Sequence, residues 1–226
     1  MIYILMGPSG SGKTAIGKGS GLPELVSHTS RDMRKGEVHG ETYYFVTKKD
    51  IDKMNKAEFT EYAGNYYCLS TREIERKLKV NDSVFVIMDR NGAEQMIEMY
   101  GDDIRIIYIE VPFWQLAKRL YRRDGFKEAL KRIWHMIKTK ERKNKEIADY
   151  TIKNNDGELK KSIAIFYEII RLHGLVDIGF EQMSEDEKAF VKRFGEGLND
   201  EICRNTKDFF DGLSRTYFYN LIYSGL

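Results

Sequence analysis

Gly7-Pro8-Ser9-Gly10-Ser11-Gly12-Lys13-Thr14, entered from Ile2-Tyr3-Ile4-Leu5-Met6, limits what this chain can fold into more than any other stretch. The apolar run has the length of a buried parallel strand. The pattern after it is G-x-x-x-x-G-K-[ST], in which a glycine-rich loop leads into a helix that opens within the motif. Successive backbone N–H groups of such a loop face one concave nest and hold phosphate oxygens. The glycines allow that approach because they carry no Cβ. Lys13 is expected on the β- and γ-phosphates of a nucleoside triphosphate, and the Thr14 hydroxyl on its Mg²⁺.

Three more apolar runs read as core strands: 83–88, 104–109 and the shorter 150–152, with Leu25-Val26-Ser27 as a weaker one. Helical patterns follow the first three, over 91–100, 113–123 and 157–172. Strand alternating with helix predicts an α/β fold with a parallel central sheet between helical layers. Ligands of such sheets bind beyond the carboxyl ends of the strands, where Gly7 to Thr14 and Asp89 would lie. Residues 29–80 break the alternation. A strand over 42–46, a short helix over 50–55 and a hairpin of 58–63 with 66–69 about Gly64-Asn65 predict a small inserted lobe.

The formal charge of +2 gives no reason to expect a nucleic-acid or anionic-membrane partner. The two cysteines, Cys68 and Cys203, form neither a metal pattern nor a disulfide framework, so a cytoplasmic setting is expected. No run has the length of a membrane span, and the N-terminus has no signal-peptide pattern.

The string from Ser27 to Val46 holds Ser27, then Arg31 and Arg34, then Gly36-Glu37, Gly40 and Tyr43. Together with 58–63, Gly64-Asn65-Tyr66-Tyr67, 88–92 and the Arg-rich stretch after Pro112, it resembles the guanylate kinase family over about residues 1–172. That resemblance implies a parallel-sheet core, a small mixed-β lobe for the monophosphate (about 29–80), and a helical lid (about 122–146). It implies ATP contacts from Gly7, Pro8, Ser9, Gly10, Ser11, Gly12, Lys13, Thr14 and Asn154. It implies GMP contacts from Ser27, Arg31, Arg34, Tyr43, Glu61, Tyr67 and Asp89, and catalytic roles for Lys13 and for Arg119, Arg123 and Arg132 of the lid.

The residue chemistry agrees. Two guanidiniums can each grip a dianionic phosphate through paired N–H donors, with Tyr43 and Tyr67 as neutral donors. A carboxylate at Glu61 can accept from both N1–H and the exocyclic amine of guanine. Asp89 can add to that contact, act on Mg²⁺ through water, or cap the helix after it. Four features depart from the family. Leu69 stands where a hydroxyl normally meets the guanine carbonyl, so Ser70, a backbone group or water must replace it. Ile87 stands where the family has an aspartate. The hairpin lacks about three residues. The helix between Thr14 and Leu25 is short and rich in glycine.

Residues 173–226 lie outside the resemblance. A capping-box pattern at 184–187 predicts a helix to about Phe194, with others over 200–210 and 213–222. Their aromatic content predicts packing on the core or across a homodimer. The expected activity is transfer of the γ-phosphoryl of MgATP to GMP or dGMP. Two alternatives stay open: a kinase of this fold with another phosphorylated acceptor, such as a ribosyl bisphosphate, and a non-catalytic module for phosphopeptides. Lys13 and Thr14 speak against the module.

Overall fold

Five consecutive residues without exposure, Ile2 to Met6, form the first strand. The computed structural model describes residues 1–178 other than Lys35, Ala63 and Lys140, together with residues 184, 185, 188 and 189. In chain order the elements are β1 (Ile2–Met6), α1 (Lys13–Gly19), β2 (His28–Thr29), β3 (Tyr44–Phe45), α2 (Lys48–Asp52), β4 (Lys56–Tyr62), β5 (Asn65–Ser70), α3 (Thr71–Leu78), β6 (Val84–Ile87), α4 (Arg90–Tyr100), β7 (Ile104–Glu110), α5 (Phe113–Lys138), β8 (Tyr150–Lys153) and α6 (Leu159–Ile178). The helices expected over 200–210 and 213–222, and most of the one from 184, lie outside the described residues.

The main sheet has four strands in the order β6-β1-β7-β8. β1 pairs with β6 in parallel, and β7 with β8 likewise. Strands covered on both faces need apolar side chains in both directions. That is why these segments read as unbroken apolar runs rather than as alternations. The fold class expected from the sequence, a parallel α/β core with a second mixed sheet, is the observed one.

By Cα proximity the chain divides into two units, one of residues 1–6 and 17–106, the other of residues 7–16 and those from 107 onward. In the first unit, Gly17 lies against the Phe85 ring, where a Cβ would stand 2.3 Å from Cε2. Helix propensity alone disfavours that glycine, but close packing requires it. The second sheet also belongs to this unit, in the order β3-β2-β5-β4. Its hairpin turns at Gly64, whose φ of +74° is open to glycine at little cost. Leu25-Val26-Ser27, expected as a strand, is a connector. Leu25 N–H donates to the Phe85 carbonyl, and pairing with β5 begins only at His28.

Helix α3 was not anticipated, because it is short and mostly charged. Its start is fixed by Ser70, whose hydroxyl accepts from Glu73 N–H, and by burial of Ile74. Glu73 is buried as well, and its carboxylate accepts from Val26 N–H, from Arg76 and from the Tyr44 hydroxyl. A buried carboxylate holds its charge only with such partners, so Glu73 ties β2, β3 and α3 into one lobe. Helix α2 starts two residues before the expected position because Thr47 and Asp50 form a capping box.

In the second unit, α5 departs from helical geometry at Gly125 (φ 77°, ψ 173°). Its first half thus ends close to the expected Arg123, and a second helical segment continues to Lys138. Helix α6 runs beyond the expected end at Leu172 and buries Phe166, Ile169 and Leu172.

Candidate active site

In the second unit the loop after β1 forms one wall of a pocket lined by Ser9, Gly10, Gly12, Lys13, Thr14, Ala15, Arg119 and Arg123. Gly12 has φ +97°, and a Cβ there would stand 2.4 Å from Asn154 Nδ2. Both the conformation and the close approach exclude other residues. Asn154 is 3% exposed. Its Nδ2 donates to the Ser11 carbonyl at 2.7 Å and its Oδ1 accepts from the Ser162 hydroxyl. Asn154, expected as an ATP contact, braces the loop from beneath: both ends of its amide are engaged and it is not among the residues lining the pocket.

Lys13 donates to the carbonyls of Gly7 and Pro8 at 2.7 and 3.0 Å, so its ammonium is held inside its own loop. Burial, partly offset by Glu141 and reinforced by Arg123, lowers its pKa from 10.5 to about 8. The folded protein therefore releases this proton at a pH where the unfolded chain keeps it. Stability contributed by this group rises with pH between about 8 and 10.5. A triphosphate favours the charged ammonium and should restore the proton. Calorimetry of ATP binding near pH 8.5, in buffers of differing ionisation enthalpy, is expected to show proton uptake by the wild type and much less by Lys13→Met. Equal uptake by the two proteins would exclude Lys13 as the titrating group.

Three arginines converge on the loop. Arg119 donates from Nε to Asp156, from Nη2 to the Asn154 carbonyl and from Nη1 to the Gly10 carbonyl, the last at 3.4 Å. Arg123 and Arg132 both donate to the Ser9 hydroxyl, at 3.3 and 3.2 Å. Asp124 binds both, with 2.8 Å to Arg123 Nη2 and 3.0 Å to Arg132 Nε. It thereby keeps two like charges beside one hydroxyl, a role the sequence did not reveal. Thr14 is exposed at the pocket wall. Among the described residues no cluster of three His, Cys, Asp or Glu forms a metal cage. Mg²⁺ is commonly held by phosphate oxygens, waters and one or two protein oxygens, so the exposed Thr14 hydroxyl fits it.

The first unit has a second pocket, lined by Ser27, Tyr43, Glu58, Thr60, Tyr67, Ile87, Met88 and Asp89. Of the expected acceptor residues it brings together Ser27, Tyr43, Tyr67 and Asp89. The Tyr43 and Tyr67 rings meet edge to face at 6.0 Å, and Arg31 lies 5.7 Å from the Tyr43 centroid. Burial pushes the Tyr43 phenol above its ordinary range, so it stays a donor. Asp89 caps α4 through Gly92 N–H at 3.0 Å while also lining the pocket.

Two of the expected residues stand off this pocket. Glu61 pairs with Tyr66, is exposed and does not line the pocket. Thr60 pairs with Tyr67, and Glu58, two residues before Thr60, shares that face and is 8% exposed. Side chains alternate along a strand, so Glu58 and Glu61 point to opposite faces. Counting outward from the expected Gly64-Asn65 turn sets Tyr62 opposite Tyr67, with Thr60 and Glu58 on the same face; the observed pairing of Tyr62 with Asn65 shifts the partners by two residues and keeps the faces. Ser70 is the other. It caps α3 and is not a wall of the pocket. Leu69, opposite Glu58, is fully buried and brings no donor. Burial and the nearby Asp89 raise the Glu58 pKa, while Thr60, donating to it at 2.9 Å, lowers it.

The guanylate kinase family model matches residues 1–171. The chain belongs to the guanylate kinase family. It is 31% identical over 169 residues to a guanylate kinase of Francisella tularensis subsp. holarctica, covering 69% of this chain and 88% of that protein. It is 35% identical over 134 residues to one from Geobacter metallireducens, covering 55% and 66% of the two chains. Among solved structures, guanylate kinase from Anaplasma phagocytophilum superposes with a TM-score of 0.58 at 25% identity, covering 82% of this chain and 87% of that one. Guanylate kinases are nucleoside monophosphate kinases, and both pockets lie within the matched residues.

Proposed function

We propose that this chain transfers the γ-phosphoryl group of ATP to the phosphate of GMP or dGMP, releasing ADP and the diphosphate. One observation carries the reading: a family member presents a phosphate-loop pocket with its lysine and, separately, an acidic, tyrosine-lined pocket of the kind a guanine nucleotide needs. An oxygen of the acceptor phosphate attacks the γ-phosphorus, and the bond to the β,γ-bridging oxygen breaks, its electrons leaving with ADP. Such a transfer asks the protein for positioning and charge neutralisation rather than covalent work. Lys13 would leave the carbonyls of Gly7 and Pro8 for the triphosphate. Arg123 and Arg132 would exchange Ser9 and Asp124 for the transferred group, and Arg119 would keep the loop in place.

Mg²⁺, held by Thr14, would offset charge on the triphosphate. Arg31, Arg34, Tyr43 and Tyr67 would hold the acceptor phosphate. Glu58, with Asp89 beside it, would accept from N1–H and the amine of guanine. With Leu69 opposite, Ser27, Thr60 or water is left to meet the guanine carbonyl. No helix among the described residues is long and apolar enough to cross a membrane. A cytoplasmic setting belongs to this reading, supported by the guanylate kinases it resembles. So does a homodimer through residues 173–226, supported by their aromatic content, and so does the lobe and lid division at 29–80 and 122–146.

A coupled assay of ADP release across GMP, dGMP, AMP, CMP and UMP tests the reading. GMP and dGMP are expected to exceed AMP by at least 10²-fold in kcat/KM, because a buried carboxylate facing adenine is left unpaired. ADP release with a ribosyl bisphosphate and not with GMP would favour the other acceptor. No ADP release with any of them would favour the binding module.

A further inference from the structure

We infer that Glu37 is a positioning residue for the acceptor phosphate, holding Arg31 in a preset orientation and closing the loop that carries Arg34. The inference rests on the GMP reading above. The Glu37 carboxylate grips Arg31 with two parallel bonds, Nη1 to Oε2 at 3.0 Å and Nη2 to Oε1 at 2.8 Å. Its Oε2 also accepts from Arg34 N–H at 2.7 Å. Arg31 Nη1 donates further to the Asp32 carbonyl at 2.6 Å. The Arg31 and Glu37 side chains are 11% and 18% exposed, so the pair is largely withdrawn from water.

A guanidinium has five N–H donors in a fixed plane. Glu37 takes the edge made by the two terminal nitrogens. The Tyr67 hydroxyl engages Arg31 as well, and Tyr43 and Phe45 stand 5.7 Å from its central carbon. Arg31 is thus held from several sides.

A long arginine loses considerable rotamer freedom when it binds a phosphate. An arginine already fixed by a carboxylate and two rings has lost it during folding, so binding costs less. The same carboxylate fixes the backbone at Arg34, so one side chain sets the spacing of both guanidiniums. The opposite reading makes Glu37 a rival of the phosphate for Arg31. Its third bond, to the Arg34 backbone, speaks for an anchor, since displacing Glu37 would also open the loop.

The test compares wild type, Glu37→Gln and Glu37→Asp in steady-state kinetics with GMP and ATP varied separately, and in thermal melting. Glu37→Gln is expected to raise KM for GMP about ten-fold, with kcat within two-fold and KM for ATP unchanged. Glu37→Asp keeps the charge and should raise it less; it also keeps the test alive if the glutamine variant fails to fold. A lowered KM for GMP would make Glu37 a rival and overturn the inference. An unchanged KM for GMP, or equal losses for both nucleotides, would overturn it too. Failure of the wild type to use GMP would sink the activity itself, which separates the two claims.

Discussion

Lys13→Ala is expected to lower kcat by 10²-fold or more and to leave the protein folded. The loss corresponds to about 3 kcal/mol of transition-state charge stabilisation, the scale of removing one fixed donor from a developing anion. The fold should survive because Lys13 contributes little to it. Its ammonium is held against two carbonyls of its own loop, and burial lowers its pKa to about 8. A charge whose folded-state pKa is depressed costs stability at neutral pH. Thermal melting of the variant should therefore match or slightly exceed the wild type, whereas single-turnover phosphoryl transfer should nearly vanish. Retention of turnover within ten-fold would show that the loop is not the triphosphate site.

The second large effect separates two glutamates three residues apart. Glu58→Gln is expected to cut kcat/KM for GMP on the order of 10²-fold, because an amide nitrogen would face the guanine amine at a position that is 8% exposed. Glu61→Gln should stay within about two-fold, since that side chain is exposed on the other face of β4. The pH profile adds an independent readout. The Glu58 pKa is raised by burial and by Asp89, and guanine binds the carboxylate form. Wild-type GMP use should fall on the acid side at a higher pH than an ordinary glutamate would give, and Glu58→Gln should lack that limb. A large loss in Glu61→Gln with none in Glu58→Gln would mean that the hairpin pairs differently in solution.

Where sequence and structure part company, the reason is register. The motif Glu58-Phe59-Thr60-Glu61-Tyr62-Ala63 aligns Glu61 with the base-reading position because local similarity is blind to what happens further along the hairpin. Shortening the hairpin by about three residues, an odd number, moves every side chain of one strand to the opposite face relative to the other. The motif therefore keeps its letters and changes its geometry. The bonds of Asn154 were hidden for a related reason. Its place after β8 was legible, but whether its amide faced a nucleotide or the Ser11 carbonyl depended on how closely Gly12 approaches it. Glu37 belonged to the string that carries the resemblance, but its contacts with Arg31 and Arg34 were not legible, and Asp124 carried no signal, because an acid beside arginines is the commonest surface pattern.

The sequence by itself determined the α/β class, the glycine-rich loop after β1, the order of the core strands along the chain and the family. Each rests on local chemistry: an unbroken apolar run specifies a doubly covered strand, and glycines followed by Lys-Thr specify a phosphate nest. Only the tertiary structure decided which carboxylate lines the second pocket, what fixes Arg31, why Gly17 and Gly12 must lack a Cβ, and where Lys13 rests. These depend on strand pairing and on contacts between residues far apart in the chain, whose distances no local pattern encodes.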